Sequence, residues 1–369
     1  MSEQKPPLNK LNTLILTSTP LIALTIVPYY GYRVGYDLFE WAMFMLFMGL
    51  TGLSISVGYH RLWSHKAYEA HFLYRLFWAI WGACALQNSI LHWASDHRNH
   101  HRFVDKDLRD PYSAKRGFWF SHIGWILRKY PSGVDDHSNV KDLMEDPVVR
   151  WQHKYYFPLA VLTNSALPLL IGYLHGNLWG TLLLAGVLRI VLNHHFTFLI
   201  NSLAHIWGGQ NYDPNNTARD NHLLAYFTYG EGYHNYHHRF QWDYRNGIKW
   251  WHFDPAKWLI KISSWTGLSY GLKKPSEFKI EQACLKVEYN RVLAKSPSSI
   301  SEHLKNGYEK LNGALEDLAA LQKQWAETDR ASNKSQLDQS EVKKRYDELK
   351  SNISNLRQEW YALRSEVIA

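Results

Sequence analysis

Four long apolar stretches decide what this chain can fold into. Residues 11–30 (LNTLILTSTPLIALTIVPYY) and 41–59 (WAMFMLFMGLTGLSISVGY) carry no charge, and two more runs occupy about 155–174 and 178–200. Each is close to the ~20 residues needed to cross ~30 Å of hydrocarbon as a helix. In lipid the backbone must satisfy its own hydrogen bonds, which makes helices the natural spanning form for such runs. The expectation is an all-α membrane protein with four transmembrane helices. The 17 Trp and 23 Tyr suit a membrane–water interface, where an apolar ring carries a polar tip. A formal charge of +8 is compatible with nucleic acid, anionic lipid or an acidic partner. The apolar runs select the membrane reading, with no nucleic acid. Only Cys84 and Cys284 are present, which excludes a disulfide framework and a cysteine-based metal site. The opening MSEQKPPLNK lacks the layout of a secretory signal, so residues 11–30 are read as retained.

Against that apolar background stand three histidine clusters. GEGYHNYHH (Gly230 to His238) and HRNHH (His97 to His101) share the pattern H-x-x-H-H, and HRLWSH adds His60 and His65. On a helix, positions i, i+3 and i+4 share a face, so His97, His100 and His101 are expected to aim at one point, as are His234, His237 and His238. The spacing of His60 and His65 is too long for one helical face, which places one of them beyond a helix end. Packing alone does not call for repeated H-x-x-H-H, whereas neutral imidazoles are ligands for Fe, Zn, Cu or Ni. The clusters offer eight histidines, and His205 at the end of the fourth run adds a ninth. A tetrahedral zinc uses four ligands at most, so nine suit two ions. Lone histidines such as His71, His153 and His252 are read as surface or interface residues.

Topology follows from requiring one site. If His60, His65 and His97–His101 meet, a membrane crossing between them is forbidden, so the interrupted apolar run 72–95 is read as a surface-lying or re-entrant helix. The third and fourth spans, joined by the turn His175–Gly176–Asn177, return the chain to the same side before Asn201 and His205. That side carries Arg61, Lys66, Arg98, Arg102, Lys115, Arg116, Arg128 and Lys129, and the opposite turn carries no Lys or Arg. The positive-inside rule then makes the metal side and both termini cytoplasmic. Asn201, four residues before His205, is placed on its helical face, either contacting a metal-bound water or hydrogen bonding to another helix. Arg189, His194 and His195 lie deeper in the fourth span and are assigned packing or supporting roles.

Residues 102–150 are polar and loop-rich around one amphipathic piece, FWFSHIGWILRK, and residues 242–268 mix Trp with Lys as an interfacial helix would. After Lys273-Lys274-Pro275 the composition changes. Leu311, Leu315, Leu318 and Trp325, then Tyr346, Leu349, Ile353, Leu356, Trp360, Leu363 and Val367, recur at three- and four-residue steps, interrupted near 330–337. The expected organisation is a domain over residues 1–268 and a linker with a coiled-coil-like tail over 269–369. The tail is read as a helical hairpin, or alternatively as a helix offered to a partner chain in a homo-oligomer.

HRLWSH, DHRNHH and GEGYHNYHH, with NSLAHIWG and RGFWFSHIGWILRK between them, resemble the membrane fatty acyl Δ9-desaturase family, the stearoyl-CoA desaturase-like group with three histidine boxes. The resemblance covers about residues 11–268. It implies a four-span bundle capped by a cytoplasmic helical domain, with two irons held by His60, His65, His97, His100, His101, His205, His234, His237 and His238. The family pattern puts His60, His65, His97, His101 and His237 on one iron and His100, His205, His234 and His238 on the other, with a water fixed by Asn201. It implies O2-dependent insertion of a cis double bond between carbons 9 and 10 of a saturated acyl chain. Asn88 and Asp96 match family contacts to acyl-CoA, and Arg128 and Lys129 match a phosphate-contacting basic pair. Ser95 stands where the family has Arg, and Phe198 where it has Trp at a substrate contact. Acyl-CoA is the first choice of carrier, with acyl-carrier-protein or lipid-linked chains as alternatives. No His-Pro-Gly-Gly haem motif occurs, so electrons are expected from a separate donor of cytochrome b5, ferredoxin or reductase type. Two other readings compete: a related di-iron hydroxylase or alkane oxygenase, and a membrane scaffold holding structural zinc.

Overall fold

The computed structural model describes residues 5–133, 137–330 and 336–368. Contacts divide the chain into two compact units. The first is Met1–Gly209 with Asn216–Lys274, and the second is Gln210–Asn215 with Pro275–Ala369.

In the first unit, four helices are long and apolar enough to cross a membrane: α1 (Lys10–Arg33), α2 (Leu38–Ser64), α6 (Tyr156–His175) and α7 (Leu178–His205). Their starts follow capping chemistry. Asp37 and Glu40 form a reciprocal capping box at the head of α2, and the Asn177 side chain accepts from Gly180 N to open α7. Gly176, at φ +89°, makes the left-handed turn that ends α6. Leu14, Leu21 and Leu24 of α1 are more than 60% exposed. Such a surface would be a liability in water and is the expected one in hydrocarbon. α1 also tolerates Pro20 and Pro28.

Between the spans lie α3 (Phe72–Ala83), α4 (Ile90–Phe103) and α5 (Pro147–Lys154). The run 72–95, expected as one helix, is therefore two. Leu86 and Asn88 take left-handed backbone conformations (φ 52° and 73°), which no helix can propagate. The Asn88 side chain then accepts from Ser89 N at 2.8 Å, and Gln152 of α5 accepts from Ile90 N at 3.1 Å, so α4 starts in a new direction. Beyond α7 come α8 (His222–Phe227), α9 (His234–Arg239) and α10 (Pro255–Trp265). The interfacial helix expected over 242–268 is thus confined to α10, and the Trp-rich stretch before it is irregular. A two-stranded antiparallel ribbon, β1 (Glu69–Ala70) with β2 (Ser269–Tyr270), ties the end of this unit back beside α3. Trp63, Tyr68, Trp78, Ile90 and Ile260 are buried in the core that α2, α3, α4 and α10 share.

In the second unit, α11 (Glu277–Leu293), α12 (Ser298–Arg330) and α13 (Gln336–Ile368) pack around Leu285, Leu304, Leu311, Leu315, Leu318, Ile353 and Trp360. Gly307 lies against Trp360 and Leu363, whereas Asp317 and Leu321 line a groove with Arg345 and Leu349, so α12 and α13 run antiparallel. The sequence periodicity missed α11, which joins them through Glu281–Arg357 and Glu288–Arg364 ion pairs. Residues 331–335, most of the interruption inferred near 330–337, lie outside the described residues.

Candidate metal centre

The end of α2, the body of α4, the end of α7 and the whole of α9 bring nine histidines into two adjoining groups. One comprises His60, His65, His97, His101 and His237, the other His100, His205, His234 and His238. Within each group one nitrogen per ring lies within 4.8 Å of all the others.

Local geometry explains how each ring arrives. From Ser54 to Ser64 the backbone winds with wider turns, closing i to i+5, and His65 N donates to His60 O at 3.1 Å. A five-residue spacing then fits one face, and His65 stands just past the helix end. On α4 the expectation that His97, His100 and His101 aim at one point is corrected: His100 turns to the second group. The same holds on α9, where His237 leaves His234 and His238. α7 ends its regular turns at Asn201 and tightens into a single narrow turn, Leu203–His205, so the plain i, i+4 spacing assumed between Asn201 and His205 does not run unbroken. Asn201 is half-buried, and its side chain makes no hydrogen bond to another described residue.

The nitrogen spacings are informative. In the first group His60 Nε2 lies 3.0 Å from His237 Nε2, which lies 3.0 Å from His101 Nε2, and His65 and His97 meet at 2.8 Å. In the second, His205–His234, His234–His238 and His100–His238 are 3.0, 3.1 and 3.3 Å apart. Two nitrogens bound at about 2.1 Å to one ion lie about 3.0 Å apart at a right angle and about 3.4 Å at the tetrahedral angle. The first group has five donors, three neighbouring pairs of them at right-angle spacing, more than tetrahedral zinc takes.

Partners on the far side of the rings aim the Nε2 lone pairs inward. His100 Nδ1 bonds the buried Asp110 at 2.9 Å, and His97 Nδ1 meets the Tyr112 hydroxyl at 3.2 Å. His205 Nδ1 meets Thr217 Oγ1 at 2.8 Å, and that hydroxyl donates to Asp105 at 2.6 Å. His60 Nδ1 lies 3.0 Å from Glu231 Oε2, a close electrostatic contact off the line of a good hydrogen bond. Lone pairs converging on one point repel unless a cation sits among them, and orienting partners of this kind are characteristic of metal-bound histidine. Burial, reinforced by neighbouring histidines, pushes His65, His97, His101, His234, His237 and His238 well below their ordinary pKa, so they remain neutral, as ligation requires. Burial acts the other way on Glu231, but His60 and Arg61 outweigh it and hold the carboxyl at about 2.

Beneath this layer Arg61 reaches Glu231 at 3.1 Å and Asp254 at 3.0 Å, all three buried. Sequence reasoning missed Glu231, Asp110, Asp105, Thr217 and Tyr112. Glu231 was visible inside GEGYHNYHH as a carboxylate next to a ligand box; the others carry no local signal. It also missed the polar chain in which Trp93 Nε1 donates to Gln87 at 3.2 Å and Gln87 donates to Thr197 at 2.9 Å, with Trp93 stacked on His97.

The residues matched to substrate contacts are more scattered. Asn88 is exposed at the break before α4, and Asp96 is half-buried on α4 between the turns that carry His92 and His100. Arg128 donates to Pro6 O at 2.7 Å and Lys129 is exposed beside it. Phe198 is buried against His122 and His194. The deeper residues of α7 make packing contacts: Arg189 donates to the carbonyls of Cys84 and Ala185 and to Asn164, and His194 meets Ala85 O at 2.9 Å. Of the lone histidines, His71 caps α3. His252, read as a surface or interface residue, is buried and stacked on Tyr233 at 4.5 Å.

Comparison with known proteins places the chain in a family. A fatty acid desaturase family profile matches residues 39–266. The chain is 42% identical over 286 residues to acyl-CoA desaturase 1 of Saccharomyces cerevisiae, an alignment covering 77% of this chain and 56% of that protein. It is 40% identical over 246 residues to human stearoyl-CoA desaturase 5, covering 65% and 74%. It is 37% identical over 266 residues to an acyl-CoA Delta(11) desaturase of Spodoptera littoralis, covering 69% and 77%. The chain thus spans little more than half the length of the yeast relative. With the profile covering well over half of the chain and four membrane-length helices around its histidines, this protein belongs to the fatty acid desaturase family of membrane proteins.

Proposed function

We propose that this chain is an O2-dependent acyl-CoA desaturase that introduces a cis double bond at carbons 9 and 10 of a saturated long-chain acyl-CoA. The observation that carries the reading is the pair of mostly buried, all-histidine groups, five and four rings with neighbouring nitrogens 2.8–3.3 Å apart, assembled beside the ends of two membrane-length helices. Five imidazole donors in one group exceed the four of tetrahedral zinc, and removal of hydrogen from an unactivated methylene needs a redox metal, so the residues fit two irons better than zinc. Bound there, the irons supply O2 activation and electron transfer. His60, His65, His97, His101 and His237 hold one, and His100, His205, His234 and His238 the other. Glu231, Asp110, Tyr112 and the Asp105–Thr217 pair orient the rings, and Asn201 would add a polar contact beside the four-histidine group.

The burial of the histidines excludes bulk water from the reacting chain. Asn88, Asp96, Arg128, Lys129 and Phe198 are assigned to the thioester carrier, and electrons come from a separate donor protein. The metal side and both termini face the cytoplasm, consistent with the basic residues on that side. We assign residues 1–268 to the catalytic domain and 269–369 to a tail that dimerises the enzyme or docks its electron donor.

The test is complementation of a desaturase-deficient host, wild type against His237→Ala, with double-bond position read by mass spectrometry of derivatised fatty acids. Δ9 monounsaturates from wild type alone are expected. A Δ11 product, as the name of the Spodoptera relative suggests for that enzyme, overturns the regiochemistry. Equal product from both strains, or a hydroxylated chain without alkene, overturns the reaction, and zinc without iron in protein from iron-replete cells overturns the cofactor.

A further inference from the structure

The proposed reaction needs an entry for electrons. Reducing O2 to water takes four, and the two hydrogens leaving the acyl chain supply two, so two more must arrive from outside. Six of the nine histidines are buried, and only His65, His101 and His238 are partly exposed. The rings of His101 and His238 stack at 4.3 Å, one from each group, so one patch of surface reaches both groups. Cations flank that patch. Arg102 follows His101 and Arg239 follows His238, and both are exposed. The Arg102 guanidinium lies over Phe103 at 5.2 Å and that of Arg109 over the same ring at 4.8 Å, which fixes two charges beside each other. Lys106, also exposed, sits in the turn between them, its backbone N–H donating to Phe103 O at 2.8 Å. Among the described side chains none of these four cations is in an ion pair, whereas Arg98, one turn earlier on α4, spends its charge on Asp142. The carboxylates of the same stretch turn inward: Asp105 is buried on Thr217 and Asp110 on His100. Even with Asp107 counted against them, the four leave an excess of positive charge.

We propose that the surface formed by Arg102, Lys106, Arg109 and Arg239 docks a small, acidic, one-electron carrier protein, with the edges of His101 and His238 as the point of electron entry. The inference rests on the redox reading of the histidine centre given above. Each encounter oxidises the carrier by one electron and reduces one ferric ion to ferrous; no bond is made and no proton moves. Charge complementarity sets the occupant. Like charges gathered on one face repel each other and gain when an anionic surface covers them. Such a face speeds the arrival of an acidic protein, and screening by salt lets it leave again, as a shuttle making two deliveries per acyl chain must. Because His101 serves one group and His238 the other, a single docking pose serves both.

The test pairs binding with electron transfer on the iron-loaded, full-length protein in detergent. Two acidic probes are used, a soluble cytochrome b5 domain and a ferredoxin. Affinity is read by calorimetry at low and high salt, and oxidation of the reduced probe by stopped flow. Wild type is expected to bind at least one probe at low salt and to release it at high salt. The double variant Lys106→Glu/Arg109→Glu should weaken binding and slow probe oxidation by about tenfold or more, with iron content and acyl-CoA affinity unchanged. Arg239→Glu, on the other helix, should act in the same direction; should it lose iron, the double variant decides alone. Binding of neither probe to wild type, binding that ignores salt, or equal affinity or equal oxidation rates in wild type and the double variant overturns the proposal. Lost acyl-CoA affinity with probe binding unchanged also overturns it, by assigning the face to the phosphates of the acyl carrier. If wild type still forms alkene in the complemented host, these results leave the reading of function standing. If wild type forms none, that reading falls and takes this proposal with it.

Discussion

Replacing Arg98 with Lys tests whether the histidine groups depend on a clamp rather than on the ligands alone. Arg98 follows His97 on α4 and spends its whole guanidinium on neighbours. It donates to Ser64 O at 3.0 Å, Trp63 O at 2.9 Å and Asn139 O at 2.9 Å, and forks onto Asp142 at 2.7 and 3.0 Å. It thereby holds the end of α2, one residue before His65, against α4. Lysine keeps the charge but, with one nitrogen in place of three, retains two of these five bonds at best. Three lost bonds at about 0.5–1.5 kcal/mol each give about 1.5–4.5 kcal/mol, and the part-exposed Asp142 end brings the total to about 2 kcal/mol. The side chain is 19% exposed, so solvent replaces little of what is lost. The variant should melt several degrees below wild type in detergent and retain less iron per chain after dialysis against a chelator. Unchanged melting and unchanged iron retention would show that the ends of α2 and α4 are fixed by something else, and the clamp argument would be wrong.

Three further outcomes follow from the same geometry. Asp110→Asn removes the charge behind His100 and should lower metal affinity about 10–100-fold at the four-histidine group with little change at the other, measured by iron titration. Gly232→Ala places a methyl 2.3 Å from Ala225 N and 2.6 Å from Asn221 O, both backbone, so α9 must shift; a loss of about 1–3 kcal/mol and of bound iron is expected, and wild-type melting would refute it. Burial raises the Asp142 carboxyl, but hydrogen bonds from Arg98 and Lys66 outweigh it and hold the group at about 2, below its ordinary 3.8. Its contribution is therefore present above pH 3.8 and lost as pH falls from 3.8 towards 2. With the carboxylate 32% exposed, screening trims this to about 1 kcal/mol, so the acid melting slope of Asp142→Asn should be flatter than wild type by that amount.

The spans were legible because lipid removes alternatives: an apolar run of that length has few other folds, and the four helices fall within a few residues of the four runs. The break at Leu86–Asn88 was not legible. Two left-handed residues interrupt a run with no glycine or proline at that point, and the conformation is fixed by long-range partners, Gln152 and Tyr156. The same holds for the orienting partners of the histidines. Asp110 and Thr217 lie in loops whose sequence is ordinary, and their roles arise only when the 105–112 and 217–220 segments fold over α4 and α7. Local pattern records what a residue is able to do, whereas its partner is a property of the fold.

What the motif itself encodes is clearer from the two helices together than from either one. At about 100° per residue, positions i and i+4 of H-x-x-H-H are about 40° apart around the axis, while i+3 lies about 100° from i+4. The i and i+4 histidines therefore share a target and the middle one turns aside. On α4 the pair His97 and His101 serves the five-histidine group and His100 crosses to the four-histidine group. On α9 the pair His234 and His238 serves the four-histidine group and His237 crosses the other way. The stacked rings of His101 and His238, 4.3 Å apart, mark where the two helices exchange donors. Each group thus borrows one ligand from the helix that mainly serves the other, so neither assembles until α4 and α9 have docked. A lone H-x-x-H would build one ion site on one helix pair. The repeated H-x-x-H-H builds two histidine groups that stand or fall together, which is what the proposed two-metal reaction would require of its scaffold.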